Sequence, residues 1–153
     1  MNLSGTWKYC EDFSHGDSEG ELVLTQVGNL LCGVLTHTET PIDGAPYSIE
    51  QTMEGVYDNK DKSFILMANT FTILATEEEI LYELDSFVAQ VMTEDLIVGT
   101  SEDEQGVLGV FSFKRIKPHP NDFIVFHLQL ERARERKKLL AQSTIFPIFV
   151  IQT

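Results

Sequence analysis

The sequence predicts a mainly all-β protein, an antiparallel barrel or sandwich followed by a C-terminal helix and a terminal edge strand. Three observations carry that expectation. Short β-type runs recur about every 8–14 residues with turn chemistry between them. Gly28-Asn29 sits between two such runs as a two-residue hairpin turn. The 153 residues are 42% hydrophobic and include ten Phe, enough to build one real core, and a domain of that length buries roughly 70% of the surface its unfolded chain exposes.

In chain order, Leu3 to Phe13 reads as the first strand, and Ser14 to Gly20 as a polar loop. Glu21 to Val27 and Leu30 to His37 form the arms of the Gly28-Asn29 hairpin. Thr40 to Pro46 breaks the pattern, and Tyr47 to Tyr57 resumes it. Asp58 to Lys62 is a polar turn, Ser63 to Ala68 pairs back, and Phe71 to Leu74 is a further short run. Thr76-Glu77-Glu78-Glu79 leads into a strand from Ile80 to Val88. Leu96 to Thr100 and Val107 to Ile116 are strands on either side of the acidic turn Glu102 to Gly106.

Beyond residue 117 the character changes. The barrel-type domain is therefore placed at 1–117 and a C-terminal extension at 118–153. Pro118 and Pro120 punctuate the chain, and Asp122 to Leu130 alternates as a strand. Glu131 to Gln142 contains no Gly or Pro and is rich in Arg, Lys, Glu, Leu and Ala, a helix-forming composition. Thr144 to Ile151 is β-branched and aromatic, and Pro147 confines it to an edge. The extension is expected to pack on its own barrel or on a second subunit, which would make a homodimer.

Leu3-Ser4-Gly5-Thr6-Trp7 places a Gly-x-Trp at the start of the first strand, and Phe111-Ser112-Phe113-Lys114-Arg115 places an Arg late in a strand near the end of the array. This pattern resembles the calycin superfamily of lipocalins, fatty-acid-binding proteins and avidin-like proteins. The resemblance implies a closed, up-and-down antiparallel barrel of eight to ten strands. It implies that Trp7 plugs the barrel bottom and that Arg115 packs over it to close the structure. It also implies a small, mostly apolar ligand held in the barrel.

The formal net charge is −13, and its distribution is uneven. Residues 1–113 hold 21 acids against three bases (Lys8, Lys60 and Lys62), whereas residues 114–153 hold eight bases against three acids. An acidic body repels phosphate backbones, so no nucleic-acid role is expected. The longest apolar run, Ile145 to Ile151, is far short of the ~20 residues that span a bilayer, so no membrane role is expected either. The start of the chain lacks a cationic, apolar leader, which points to the cytoplasm and to reduced thiols at Cys10 and Cys32, although a bridge between them is left open.

Catalytic patterns are sparse. The four His lack local ligand-pair spacing, and His37 with Glu39 reads as a solvent-facing pair rather than a metal site. There is no nucleophile elbow and no phosphate-cradling glycine loop. Either Cys reads as a small strand residue rather than a nucleophile aided by His37. The acidic runs Glu77-Glu78-Glu79 and Glu102-Asp103-Glu104 read as solvated turns. The expectation is thus a non-enzymatic barrel without metal or cofactor. Its ligand would touch the inward residues Leu22, Leu24, Ile49, Met53, Phe64, Leu66, Leu84, Val98, Phe111 and Phe113. The alternative is an acidic interaction module of the immunity or antitoxin type, which meets a basic protein partner through its charge.

Overall fold

A computed structural model describes residues 1–116 and 131–139. The chain divides into two compact units, Met1–Lys117 and Pro118–Thr153. In the first, eight strands follow one another: β1 Gly5–Phe13, β2 Gly16–Val27, β3 Leu30–Pro41, β4 Tyr47–Asp58, β5 Ser63–Ala75, β6 Asp85–Thr93, β7 Leu96–Asp103 and β8 Leu108–Arg115. Each pairs antiparallel with its sequence neighbour, and β1 pairs with β8, so the sheet is a closed up-and-down barrel. Closure pairs the first strand with the last, so neither is left as a free edge.

The second unit shows a helix, α1, over 131–139. The strands expected at Asp122 to Leu130 and Thr144 to Ile151, the end of the helix, and the packing of the extension lie outside the described residues.

Alternation sets the inside of the barrel. In β1 Trp7 and Tyr9 point inward, in β3 Leu31, Leu35 and His37, in β6 Phe87, Ala89 and Val91, and all are buried. Tyr9, Phe87, Phe111 and Phe113 meet with ring centroids 4.8–6.1 Å apart, most of them edge-on or tilted. This aromatic layer fills the barrel's waist.

Several boundaries differ from the sequence expectation. The polar stretch after Phe13 is mostly strand, because Asp17 to Gly20 pair with both β1 and β3. Phe71 to Leu74 continues β5 past a register shift between Thr52 and Met53 of β4. The sixth strand begins at Asp85, not Ile80, and residues 76–84 form a loop. That shift has a cause: β5 pairs with β6 only from Ser63 to Met67. Beyond Met67 the outer half of β5 pairs, among the described residues, with β4 alone, and the loop over 76–84 joins it to β6.

Candidate functional site

One end of the barrel is plugged. Trp7 is fully buried and donates its indole N–H to Leu3 O at 3.0 Å. The Arg115 guanidinium lies 4.2 Å from the Trp7 ring centroid, and the two residues face each other in the β1–β8 ladder. The same guanidinium donates to the carbonyls of Ser4 at 3.0 Å, Asn2 at 3.2 Å and Glu94 at 2.9 Å. It therefore ties the N-terminal segment and the β6–β7 turn across the barrel floor. Gly5 holds φ at 143°, and a Cβ there would sit 3.0 Å from Arg115 Nη1. The Gly of Gly-x-Trp is thus favoured by backbone conformation, and it lies directly against the Arg115 guanidinium.

The other end is open and acidic. Glu11 at the end of β1, Glu39 at the end of β3, Asp85 at the start of β6 and Asp103 at the end of β7 line one pocket, together with Phe13, Pro41, Tyr47, Tyr82 and Val107. Its volume is about 200 Å³. Among the described residues neither Lys nor Arg lines it, whereas His15 and a fifth acid, Glu83, do. The carboxyl groups are instead held by neutral donors. Tyr9 and Ser101 hydroxyls donate to Glu11, and the Tyr47 hydroxyl donates to Glu39. Asp85 Oδ2 accepts from the Tyr82 hydroxyl at 2.5 Å and from Gln51 Nε2 at 2.9 Å. Gly109 makes room for one of these contacts: a Cβ would fall 2.6 Å from Ser101 Oγ and closer still to Glu11 Oε1.

Partial burial without a cation has an electrostatic consequence. Loss of water pushes the Glu11 carboxyl up to about 7, against the opposing hydrogen bond from Ser101. Loss of water, reinforced by the charges of Asp85, Glu11 and Asp103, pushes Glu39 up to about 8. Burial raises Asp85 as well, although the Tyr82 and Gln51 hydrogen bonds oppose it. Burial lowers His37 to about 4, so its ring is neutral at pH 7. Gln51 Nε2 spends one hydrogen on Asp85 and faces His37 Nε2 at 3.1 Å with the other. This network assigns the imidazole proton to Nδ1, which is buried without a partner. Ser18 Oγ is a second buried atom without a hydrogen-bond partner among the described residues. Ser18 is 1% exposed, and its cross-strand neighbours on the same face are Glu11 and Glu39.

The loop over 76–84 adds the remaining wall. Tyr82 packs against Phe71 at 5.2 Å and against His37 and Tyr47 at 6.2 and 6.5 Å between centroids. Phe71 reaches this position because the register shift turns the outer half of β5 by one residue, which places it opposite Gln51.

The residues expected to meet a ligand are placed differently. Leu22, Leu24, Ile49, Met53, Phe64, Leu66, Phe111 and Phe113 do face inward, each at most 2% exposed. All but Ile49 belong to one continuous hydrophobic cluster, and none lines the mouth pocket. Leu84 lies in the loop ahead of β6, and the inward position nearby is Phe87. Val98 falls on the outer phase of β7, with Ile97 as its buried neighbour, because a one-residue change of phase exchanges the two faces.

His37 and Glu39 are corrected too. They do not form a solvent-facing pair: His37 is 3% exposed and Glu39 lines the mouth. Cys10 and Cys32 are free thiols, half-buried and exposed, and Cys10 takes the outward phase between Tyr9 and Glu11, away from His37. Among the described residues no group of three His, Cys, Asp or Glu is arranged to hold a metal ion. Glu11, Ser18, Tyr47, Tyr82 and Asp85 had no local sequence signal beyond their place near strand ends.

No protein-family model matches the chain, and no curated protein matches it. Solved structures share its frame. A redesigned β-barrel, mFAP1, bound to DFHBI, is 16% identical with a TM-score of 0.51, over 74% of this chain and 94% of that one. A second, mFAP0, also bound to DFHBI, has the same identity and TM-score over 74% of this chain and 98% of that one. A third redesigned barrel is 12% identical with a TM-score of 0.50, over 75% and 92%. At these identities the likeness is one of fold: this chain is built as a closed, eight-stranded antiparallel β-barrel.

Proposed function

We propose that the protein is a non-enzymatic, calycin-like binding barrel of the cytoplasm that takes a small ligand in its open mouth. One observation carries the reading: the waist is packed, one end is plugged, and the other end keeps a pocket of about 200 Å³ with aromatic and aliphatic walls. Phe13, Tyr47, Tyr82 and Val107 suit an apolar body. The volume lies below the roughly 300–1,000 Å³ of drug-sized sites, so the ligand is small. The Gly5-x-Trp7 and Arg115 arrangement supports the calycin reading, and the similar barrels described as bound to DFHBI support reading the frame as a ligand holder.

A mixed panel of small aromatic alcohols, amines and acids, screened by ligand-observed NMR, tests the reading. At least one class should bind the parent and lose binding in Tyr82→Ala. A panel without a single binder sensitive to that variant would overturn it.

A second reading rests on charge. With 21 acids against three bases, residues 1–113 suit a basic protein partner. Its signature is association with that partner that weakens steeply between low and high salt.

A further inference from the structure

The outer half of β5 is unlike the rest of the barrel wall. We propose that it is a self-pairing edge: in solution two copies of this chain join antiparallel along residues 69–75, about a two-fold axis at Thr72. The association is independent of what the mouth binds.

A contrast within one strand leads there. In the first half of β5, paired on both sides, the inward residues Phe64 and Leu66 are 2% and 0% exposed. Pairing with β6 ends at Met67, and on the inward phase beyond it Phe71 and Ile73, opposite Gln51 and Ile49, are 40% and 39% exposed. Every residue from Asn69 to Glu79 is exposed. The loop over 76–84 turns over the mouth instead, where Leu81, Tyr82 and Glu83 line the pocket. Among the described residues the backbone of residues 69–75 finds backbone partners in β4 alone. A strand with one side unpaired presents a row of N–H and C=O groups to which another strand can be added.

The edge also lacks the usual guards. Residues 68–76, Ala-Asn-Thr-Phe-Thr-Ile-Leu-Ala-Thr, contain no charge, no Pro and no Gly and are rich in β-branched and aromatic types. Edge strands that stay single ordinarily carry Lys or Pro. Register shifts against β4 at Asn69 and Leu74 bound a regular stretch, Thr70 to Ile73. An antiparallel ladder centred on Thr72 sets the two Thr72 residues opposite each other and Phe71 opposite Ile73, an aromatic against a β-branched residue. It also covers the two inward side chains that β6 leaves exposed.

Charge favours a second copy as the occupant. Residues 1–113 hold 21 acids against three bases, so two copies repel wherever their acids meet. Along this ladder the acids stay apart. Glu77 lies five residues past Thr72, so the two Glu77 residues are separated by about 33 Å of strand. Glu50 sits opposite Thr72 on β4, which puts the two Glu50 residues three strand spacings apart, about 14 Å. Both distances exceed the Debye length of about 8 Å at physiological salt. A basic partner, in contrast, meets no charge on the edge itself. Seven residues span roughly 23 Å of a sheet about 10 Å deep, well below the ~800 Å² per partner of a standard interface, so the association is weak and concentration-dependent. The other side of the outer half is held by β4, so each copy has one such edge and the isologous pairing stops at two.

Sedimentation equilibrium of the full chain from about 1 to 300 µM tests this. The parent should pass from monomer to dimer over that range, with no larger species. Raising salt from about 0.05 to 0.5 M should leave the association unchanged or strengthen it, because screening weakens the repulsion between the acidic bodies. Thr72→Lys and Thr72→Glu, each at an exposed position, should each weaken self-association about five-fold or more, since like charges then meet on the two-fold axis. Mixed together, the two variants should form a heterodimer that neither forms alone. Thermal unfolding of each variant confirms that it is folded. Amide hydrogen exchange reads the parent without substitution: residues 69–75 should exchange more slowly at high concentration. A parent that stays monomeric, a dimer that dissociates steeply with added salt, or a folded Thr72→Lys that dimerises like the parent would overturn the proposal. So would a measured dimer whose residues 69–75 exchange as fast as in the monomer.

Discussion

The two ends of the barrel handle charge in opposite ways. At the plugged end, one guanidinium lies against an indole and donates to three backbone carbonyls. Its charge is spread over fixed acceptors, and the end is bonded shut. At the mouth, three carboxyl groups have neutral donors only, and two buried polar atoms nearby have none. The glycines show the same contrast. Gly5 lets the chain pass beneath Arg115, whereas Gly109 clears space for a Glu11–Ser101 contact that leaves charge unanswered. A barrel whose core is already filled has no structural need for such a cluster, and this difference supports the proposal that a ligand binds at the mouth.

The comparison can be broken most severely at the plug. Trp7→Ala should lower stability by about 3–5 kcal/mol, through lost burial and the cavity left behind. Denaturant unfolding measures it, and an unchanged midpoint would remove the plug from the account. Arg115→Ala should cost about 1–3 kcal/mol, because it removes the cation–π contact and three hydrogen bonds from a partly exposed group. The double variant should cost less than the sum of the two, since both act on one contact. Simple additivity would show that the two residues work separately.

The mouth is sharpened by pH. Glu11 and Glu39 titrate higher in the folded chain, at about 7 and 8, than in the unfolded one. Between pH 6.5 and 8.5 the folded state therefore holds more protons than the unfolded state, and stability falls as pH rises. His37, lowered to about 4, has finished titrating in the folded chain and contributes little in that window. Tyr9 and Ser101 donate to Glu11 and Tyr47 donates to Glu39, and Asp85 and Asp103 add negative charge beside Glu39. A loss of about 1–3 kcal/mol is expected from pH 6.5 to 8.5. The paired variant Glu11→Gln, Glu39→Gln should flatten that slope, whereas Arg115→Ala should leave it in place. A parent protein that gains stability over the same interval would contradict the electrostatics of the mouth.

The smallest effect belongs to Tyr57, whose hydroxyl is buried without a partner beneath the β4–β5 turn at the plugged end. Tyr57→Phe removes a polar atom that has no hydrogen-bond partner among the described residues. Thermal unfolding should show stability unchanged or raised by up to about 1 kcal/mol. A clear loss would mean that this hydroxyl has a bonding partner in solution.

Much of the barrel was legible before any coordinates, because strand signals are local. The Gly28-Asn29 turn, the polar turn at Asp58 to Lys62 and the period-two alternation each depend on a few adjacent residues, and so do Gly5 and Trp7 at the start of β1. Eight of the ten residues read as inward are inward for the same reason. Val98 was misphased because Val98 and Ile97 are both apolar, so alternation could not choose between them. Leu84 was misplaced because the loop over 76–84 is set by the early end of β5–β6 pairing, which no local residue announces. The acidic mouth was invisible for a stronger version of that reason. Glu11, Glu39 and Asp85 lie tens of residues apart, and each looks like an ordinary acid near a strand end. Only ring closure, with β1 beside β8, and the register of every ladder between them bring these carboxyl groups into one pocket, because the field at a site depends on distance in space and not along the chain.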